Sequence, residues 1–129
     1  MTMEKHKLFE VNQNAIIRNG EGDILILKKD NKWMLPGGRL ENGETWLEGL
    51  QREVREETGI WNFSVEEIAD VAVSESGKTY IVTFVCGIKD NKEIKLSEEH
   101  QDHAWIGEDD LNKYEFFHEK IKDLIRQRT

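Results

Sequence analysis

A chain of 129 residues with a formal net charge of −8, 37% hydrophobic and 34% charged, is sized for one domain around one core. The acidic balance excludes duplex nucleic acid as a partner, because holding that backbone needs a basic surface. No run of about 18 apolar residues is present to span a membrane. The opening MTMEKHKLFE has no apolar signal core, and the single cysteine, Cys86, sits in an apolar run as a buried thiol. A cytoplasmic chain without a disulfide framework is the expectation.

Residues 1–10 are polar. Residues 11–18 read as a strand, Gly20-Glu21-Gly22-Asp23 as its turn, and Ile24-Leu25-Ile26-Leu27 as a short buried strand that completes a hairpin. Lys28 to Asn31 is expected to be a polar connection. Trp33-Met34-Leu35-Pro36-Gly37-Gly38 leads into a glycine-rich loop, where the backbone can pass close to a bound ion or phosphate. A helix follows. Thr45 is its N-cap, Glu48 completes a capping box, and Gly59 ends it. Leu47, Leu50 and Val54 form the stripe expected on a sheet, and Glu48, Gln51 and Arg55 face water. Gly49 in mid-helix points to close approach of a loop or ligand, since glycine there costs about 1 kcal/mol relative to alanine.

Past the helix, residues 63–74 alternate weakly as a strand and Gly77 marks a turn. Residues 79–88 are the clearest strand of this half, rich in β-branched and aromatic side chains. Residues 89–95 read as a polar loop and 97–102 as an acidic one. Residues 103–106 are a last short strand, and Glu108-Asp109-Asp110-Leu111 begins a helix. Residues 114–128 read as a closing amphipathic helix with Phe117, Ile121, Leu124 and Ile125 on one stripe. This order gives an α/β domain with a mixed β-sheet between helices.

The chemistry concentrates on the first helix. Glu53, Glu56 and Glu57 are spaced by three and four, so they share a face and repel one another unless a cation sits among them. An oxygen-only set suits Mg2+ or Mn2+. Glu44 and Arg52 can form an ion pair that ties the preceding loop to the helix.

The order Gly38, five residues, Glu44, seven residues, then Arg52-Glu53-Val54-Arg55-Glu56-Glu57-Thr58-Gly59-Ile60 resembles the Nudix box at every defined position. The resemblance implies a single Nudix hydrolase domain over residues 1–129, with the box at 38–60, folded as the Nudix α/β/α sandwich. It implies that Glu53, Glu56, Glu57 and the Gly37 carbonyl ligate Mg2+, with Mn2+ a possible substitute. Arg52 matches the arginine that orients a ligand glutamate, and Glu44 the residue that steadies that arginine. Glu99 lies where related enzymes often place an extra ligand. Glu53, a neighbouring box glutamate, Glu98 or Glu99 is the candidate base. His100 and His103 read as loop and strand residues rather than ligands.

The implied reaction cleaves a phosphoanhydride in a nucleoside diphosphate linked to a further group. The short chain is most similar to the MutT-like nucleoside-triphosphate pyrophosphohydrolases, which release monophosphate and pyrophosphate in nucleotide-pool housekeeping. The alternatives are a dinucleoside-polyphosphate or nucleotide-sugar/ADP-ribose pyrophosphatase, or a non-catalytic nucleotide sensor. The ADP-ribose branch tends to carry a proline past the box, and Pro36 is the only proline here. Tyr80 falls slightly late for the tyrosine of the dinucleoside branch. A small-molecule nucleotide is therefore the expected partner of a monomer or homodimer. Trp33, Arg39, Tyr80, Phe84 and Asn112 are the candidate substrate contacts, with Phe116 and Phe117 as further stacking candidates.

Overall fold

The computed structural model describes residues 5–89 and 93–128. The start of the polar N-terminal segment and the middle of the expected 89–95 loop lie outside them.

Two apolar runs set the architecture. Ala15, Ile16 and Ile17 in β1 (Glu10–Arg18), and Ile24 to Leu27 in β2 (Ile24–Lys29), are fully buried. Side chains alternate faces along a strand, so such continuous runs belong to strands covered on both sides. β1 is accordingly central. It pairs antiparallel with β2 and β4 (Gly37–Arg39) and parallel with β6 (Thr79–Gly87). The sheet runs β3 (Lys32–Met34), β2, β1, β6, β5 (Ser64–Val73), and β7 (Asp102–Ile106) pairs with β2. Among the described residues it is a mixed seven-stranded sheet with helices on both faces, as expected.

One face buries Ala15, Ile17, Leu25, Leu27, Phe84 and Cys86 against Leu50 and Val54 of α1 (Trp46–Thr58). Burial of Leu50 and Val54 stabilises the packing by roughly 1.5–3 kcal/mol each. The other face buries Ile16, Ile24, Ile26 and Ile106 against Leu111 of a 3-10 helix (Glu108–Lys113), and against Leu124 and Ile125 of α2 (Glu119–Arg126). Among the described residues no helix is long and apolar enough to cross a membrane.

Several expectations are corrected. Lys28 and Lys29 extend β2, and Lys32 to Met34 return as β3 through Asp30 and Asn31. Both turn residues have positive φ, 50° and 66°, the conformation that a two-residue hairpin needs and that Asp and Asn tolerate. The glycine-rich loop is instead a short strand clamped to β1, with Asn14 opposite Gly37 and Gln13 opposite Gly38. Leu47 is exposed, because the stripe that meets the sheet narrows to Leu50 and Val54. The last helix is shorter than the periodicity implies. Phe117 precedes it and is exposed, because its N–H bonds the Trp33 carbonyl and holds the chain extended.

The clamp leaves no room at Gly37. A Cβ there would collide with the Gln13 carbonyl oxygen and the Asn14 backbone, neither of which can swing aside. Gly37→Ala is expected to cost about 1–3 kcal/mol, as overpacking does. Urea denaturation checks this, and an unchanged midpoint refutes the close approach.

Candidate active site

The first helix is started and stopped as its sequence dictates. The Thr45 hydroxyl accepts the Glu48 N–H at 3.2 Å, and Glu48 Oε1 accepts the Thr45 N–H at 2.9 Å. Gly59 ends the helix in the left-handed conformation, with φ 80°. Gly49 is small because Leu40, from the segment before the helix, crosses over it. These fixed ends hold the acidic face of α1 against β4.

Arg52 is the hub of that face. Its Nε and Nη2 form a fork on the Glu44 carboxylate, at 2.6 and 3.0 Å. Nη1 donates to Glu53 Oε1 at 2.7 Å and to Glu56 Oε2 at 3.4 Å. Nη2 also donates to the Arg39 carbonyl at 3.0 Å, and Glu41 lies 3.2 Å from Nε. Bidentate, charge-assisted pairs of this kind fix geometry as well as energy. The guanidinium thereby ties the segment before the helix to the helix itself. Glu53 lies against β4 so closely that a Cβ on Gly38 would strike its carboxylate.

Glu57 is held differently. Its Oε1 accepts the Gly37 N–H at 2.7 Å, and the residue is only 7% exposed. Burial pushes its pKa up to about 8 against that hydrogen bond, and the charges of Glu53, Glu99 and Glu56 add to the rise. Burial also raises Glu53 against the pull of Arg52. By contrast, the hydrogen bond from Arg52 holds Glu44 below the usual carboxylate range.

The segment 93–101, which leads into β7, closes on this face. The Lys95 N–H bonds the Thr58 carbonyl at the end of α1, and the Gln101 N–H bonds the Lys28 carbonyl of β2, each at 2.9 Å. Between these ties the loop carries Glu98 and Glu99, both exposed, and His100, which is buried. His100 Nε2 lies 3.7 Å from Glu57 Oε2. Sequence reasoning had no periodicity or motif to single out this histidine. Its place follows from two backbone hydrogen bonds between segments far apart in the chain.

The candidate substrate contacts are scattered. Phe84 is 6% exposed and stacked beneath Trp46, with ring centroids 5.1 Å apart, so it belongs to the core and has no open face for a base. Trp46, half-exposed, covers it. Trp33 packs edge-on against Tyr114 in the opposite core cluster. Tyr80 is partly exposed beside Phe9. Arg39 is exposed and pairs with Glu10 at 3.3 Å, while its carbonyl serves Arg52. Asn112 is exposed on the 3-10 helix, and Phe116 is buried. Of these, Arg39 adjoins the acidic face through its carbonyl, which accepts from Arg52.

Among the described residues no three His, Cys, Asp or Glu side chains already converge to hold a metal ion. Arg52 draws Glu53 and Glu56 toward itself, and Gly37 draws Glu57. The donor chemistry nonetheless fits a hard divalent cation. The donors are carboxylate oxygens, two of the carboxylates are desolvated, and Glu57 is destabilised in its charged form by its acidic neighbours.

A family model described as NUDIX domain matches residues 8–127. A nucleoside triphosphatase of Escherichia coli O139:H28 is 37% identical, over 78% of this chain and 83% of that protein. The crystal structure of a MutT protein from Methanosarcina mazei superposes with a TM-score of 0.76 at 28% identity, covering 96% of this chain and 95% of that one. A C. elegans Ap4A hydrolase also shares the fold, with a TM-score of 0.76 at 20% identity over 90% of this chain and 93% of that one.

The buried Glu57 carboxyl generates a pH prediction. Folded, it holds its proton more tightly than in the unfolded chain, where it titrates near 4.5. The stability it contributes is therefore complete below about pH 4.5 and lost as the pH rises through about 8. Across that window the melting temperature of the metal-free protein should fall more than that of Glu57→Gln. Parallel profiles for the two proteins would refute the burial.

Proposed function

The chain belongs to the Nudix hydrolase family, and from that premise we propose that it hydrolyses a nucleoside triphosphate to the monophosphate and pyrophosphate. The observation that carries this reading is the acidic face of α1, packed on the Gly37-Gly38 strand and organised by Arg52. The substrate class is supported by the Escherichia coli relative, whose name is nucleoside triphosphatase.

In this reading Glu53, Glu56, Glu57 and the Gly37 carbonyl would hold a divalent cation, Mg2+ first and Mn2+ as its substitute. Glu99 offers a further carboxylate from the facing loop. A bound divalent cation offsets the charge of the diphosphate and acidifies the attacking water. The chain itself supplies position. Arg52 fixes Glu53 Oε1, so that carboxylate cannot swing into solvent. Glu44 occupies two further guanidinium nitrogens and so keeps Arg52 from following the substrate phosphates. Glu53, raised by burial, is the residue we assign to receive the proton of the attacking water. Pre-set groups of this kind stabilise the charge that develops on the phosphoryl oxygens without reorganising during the reaction.

Trp33, Arg39, Tyr80 and Asn112 remain proposed contacts for the base or sugar. Trp46 joins them in place of Phe84, because it presents the exposed ring of the stacked pair.

Glu53→Gln and Glu57→Gln should each lower kcat for nucleoside triphosphate hydrolysis by at least about 100-fold, with the fold retained by circular dichroism. Pyrophosphate release from a nucleotide panel with Mg2+ and with Mn2+ measures this. Unchanged turnover in both variants would falsify the assignment.

A further inference from the structure

The reading above makes Glu57 a cation ligand, and the inference here rests on it. Glu57 presents one oxygen to Gly37 and the other to His100. The His100 side chain is 1% exposed, and its Nε2 is buried with no hydrogen-bond partner. That nitrogen faces Glu57 Oε2 at 3.7 Å, and its ring partner Nδ1 lies 3.2 Å from the Ser97 hydroxyl. A buried polar atom without a partner costs about 1–3 kcal/mol, so its environment here calls for an explanation.

We propose that His100 is a positioning residue, which donates its Nε2–H to Glu57 Oε2 and so orients that carboxylate toward the cation. A neutral imidazole has one N–H and one lone pair. Beside the ionised Glu57 that a cation would bind, a lone pair on Nε2 would face a carboxylate oxygen and be repelled by it. With the proton on Nε2, Nδ1 accepts from the Ser97 hydroxyl, and both ring nitrogens are matched. Closing the separation by less than about 1 Å brings the pair into hydrogen-bond range.

The ring is well placed for this task. The ties from Lys95 to Thr58 and from Gln101 to Lys28 fix the loop to the end of α1 and to β2. The His100 N–H also bonds the Ser97 carbonyl at 3.2 Å, closing a turn that sets Ser97 beside the ring. Partners that hold a metal-binding side chain in this way commonly tune affinity without touching the ion. A side chain that merely fills space would leave metal affinity unchanged when replaced by an apolar residue of similar bulk.

The test titrates Mn2+ alone, without nucleotide, into wild type, His100→Leu and His100→Gln, following water-proton relaxation, with melting of the metal-free proteins as the folding control. His100→Leu should weaken Mn2+ binding by about 10- to 100-fold, while His100→Gln, which keeps a donor near Nε2, should stay within about threefold of wild type. In the Mg2+-loaded wild type, nitrogen-15 spectra should show the imidazole protonated at Nε2. A folded His100→Leu with unchanged Mn2+ affinity overturns the inference, and so does a proton found on Nδ1. If His100→Leu does not fold, His100→Gln and the tautomer decide, with loss of affinity in His100→Gln counting against it. If wild type binds no Mn2+, the functional reading fails first and this inference falls with it.

Discussion

One guanidinium facing four carboxylates is the interaction on which the rest of the site depends. Arg52 contacts Glu41, Glu44, Glu53 and Glu56. Three of the box glutamates share a helical face, where like charges destabilise one another. Arg52 relieves the rim of that cluster but does not reach its floor, for Glu57 is met by the Gly37 N–H and by a histidine whose charged form burial disfavours. The result is a surplus of negative charge in a half-dry place. A proton or a cation must balance it. In the proposed function a cation takes that part and offsets the charge of a polyphosphate that a chain of net charge −8 would otherwise repel.

The fold exists at this point to hold three segments in register. β1 is buried on both faces and pairs with β4, so Gly37 and Gly38 are presented at a fixed height. α1 is capped at both ends and anchored by Leu50 and Val54, so its acidic face meets those glycines. The loop carrying Glu99 and His100 is tied to the end of α1 and to β2. Glycine serves two ends here. At Gly37 it lets backbone approach backbone, and at Gly38 it makes room for a carboxylate.

Much of this was legible in the sequence. The capping box, the terminal glycine, the acidic face and the Glu44–Arg52 pair all follow from local spacing, and local spacing survives folding. The long apolar strands were legible for the same reason. What escaped depends on distant partners. β3 and β4 are three residues each, too short for any period to show, and they exist because β2 and β1 pair with them. Leu47 and Phe117 fit an amphipathic stripe, yet among the described residues both stay exposed. Phe84 looked like a stacking surface until Trp46 proved to lie on it. His100 had no motif to mark it, and only the meeting of a loop with a helix end gives it a part.

The most direct measurement is anomalous diffraction from crystals soaked in Mn2+ with a non-hydrolysable nucleoside triphosphate. The account predicts an anomalous peak between the Glu53 and Glu57 carboxylates, with the nucleotide's phosphates beside it. Clear density for the nucleotide with no peak there would contradict it.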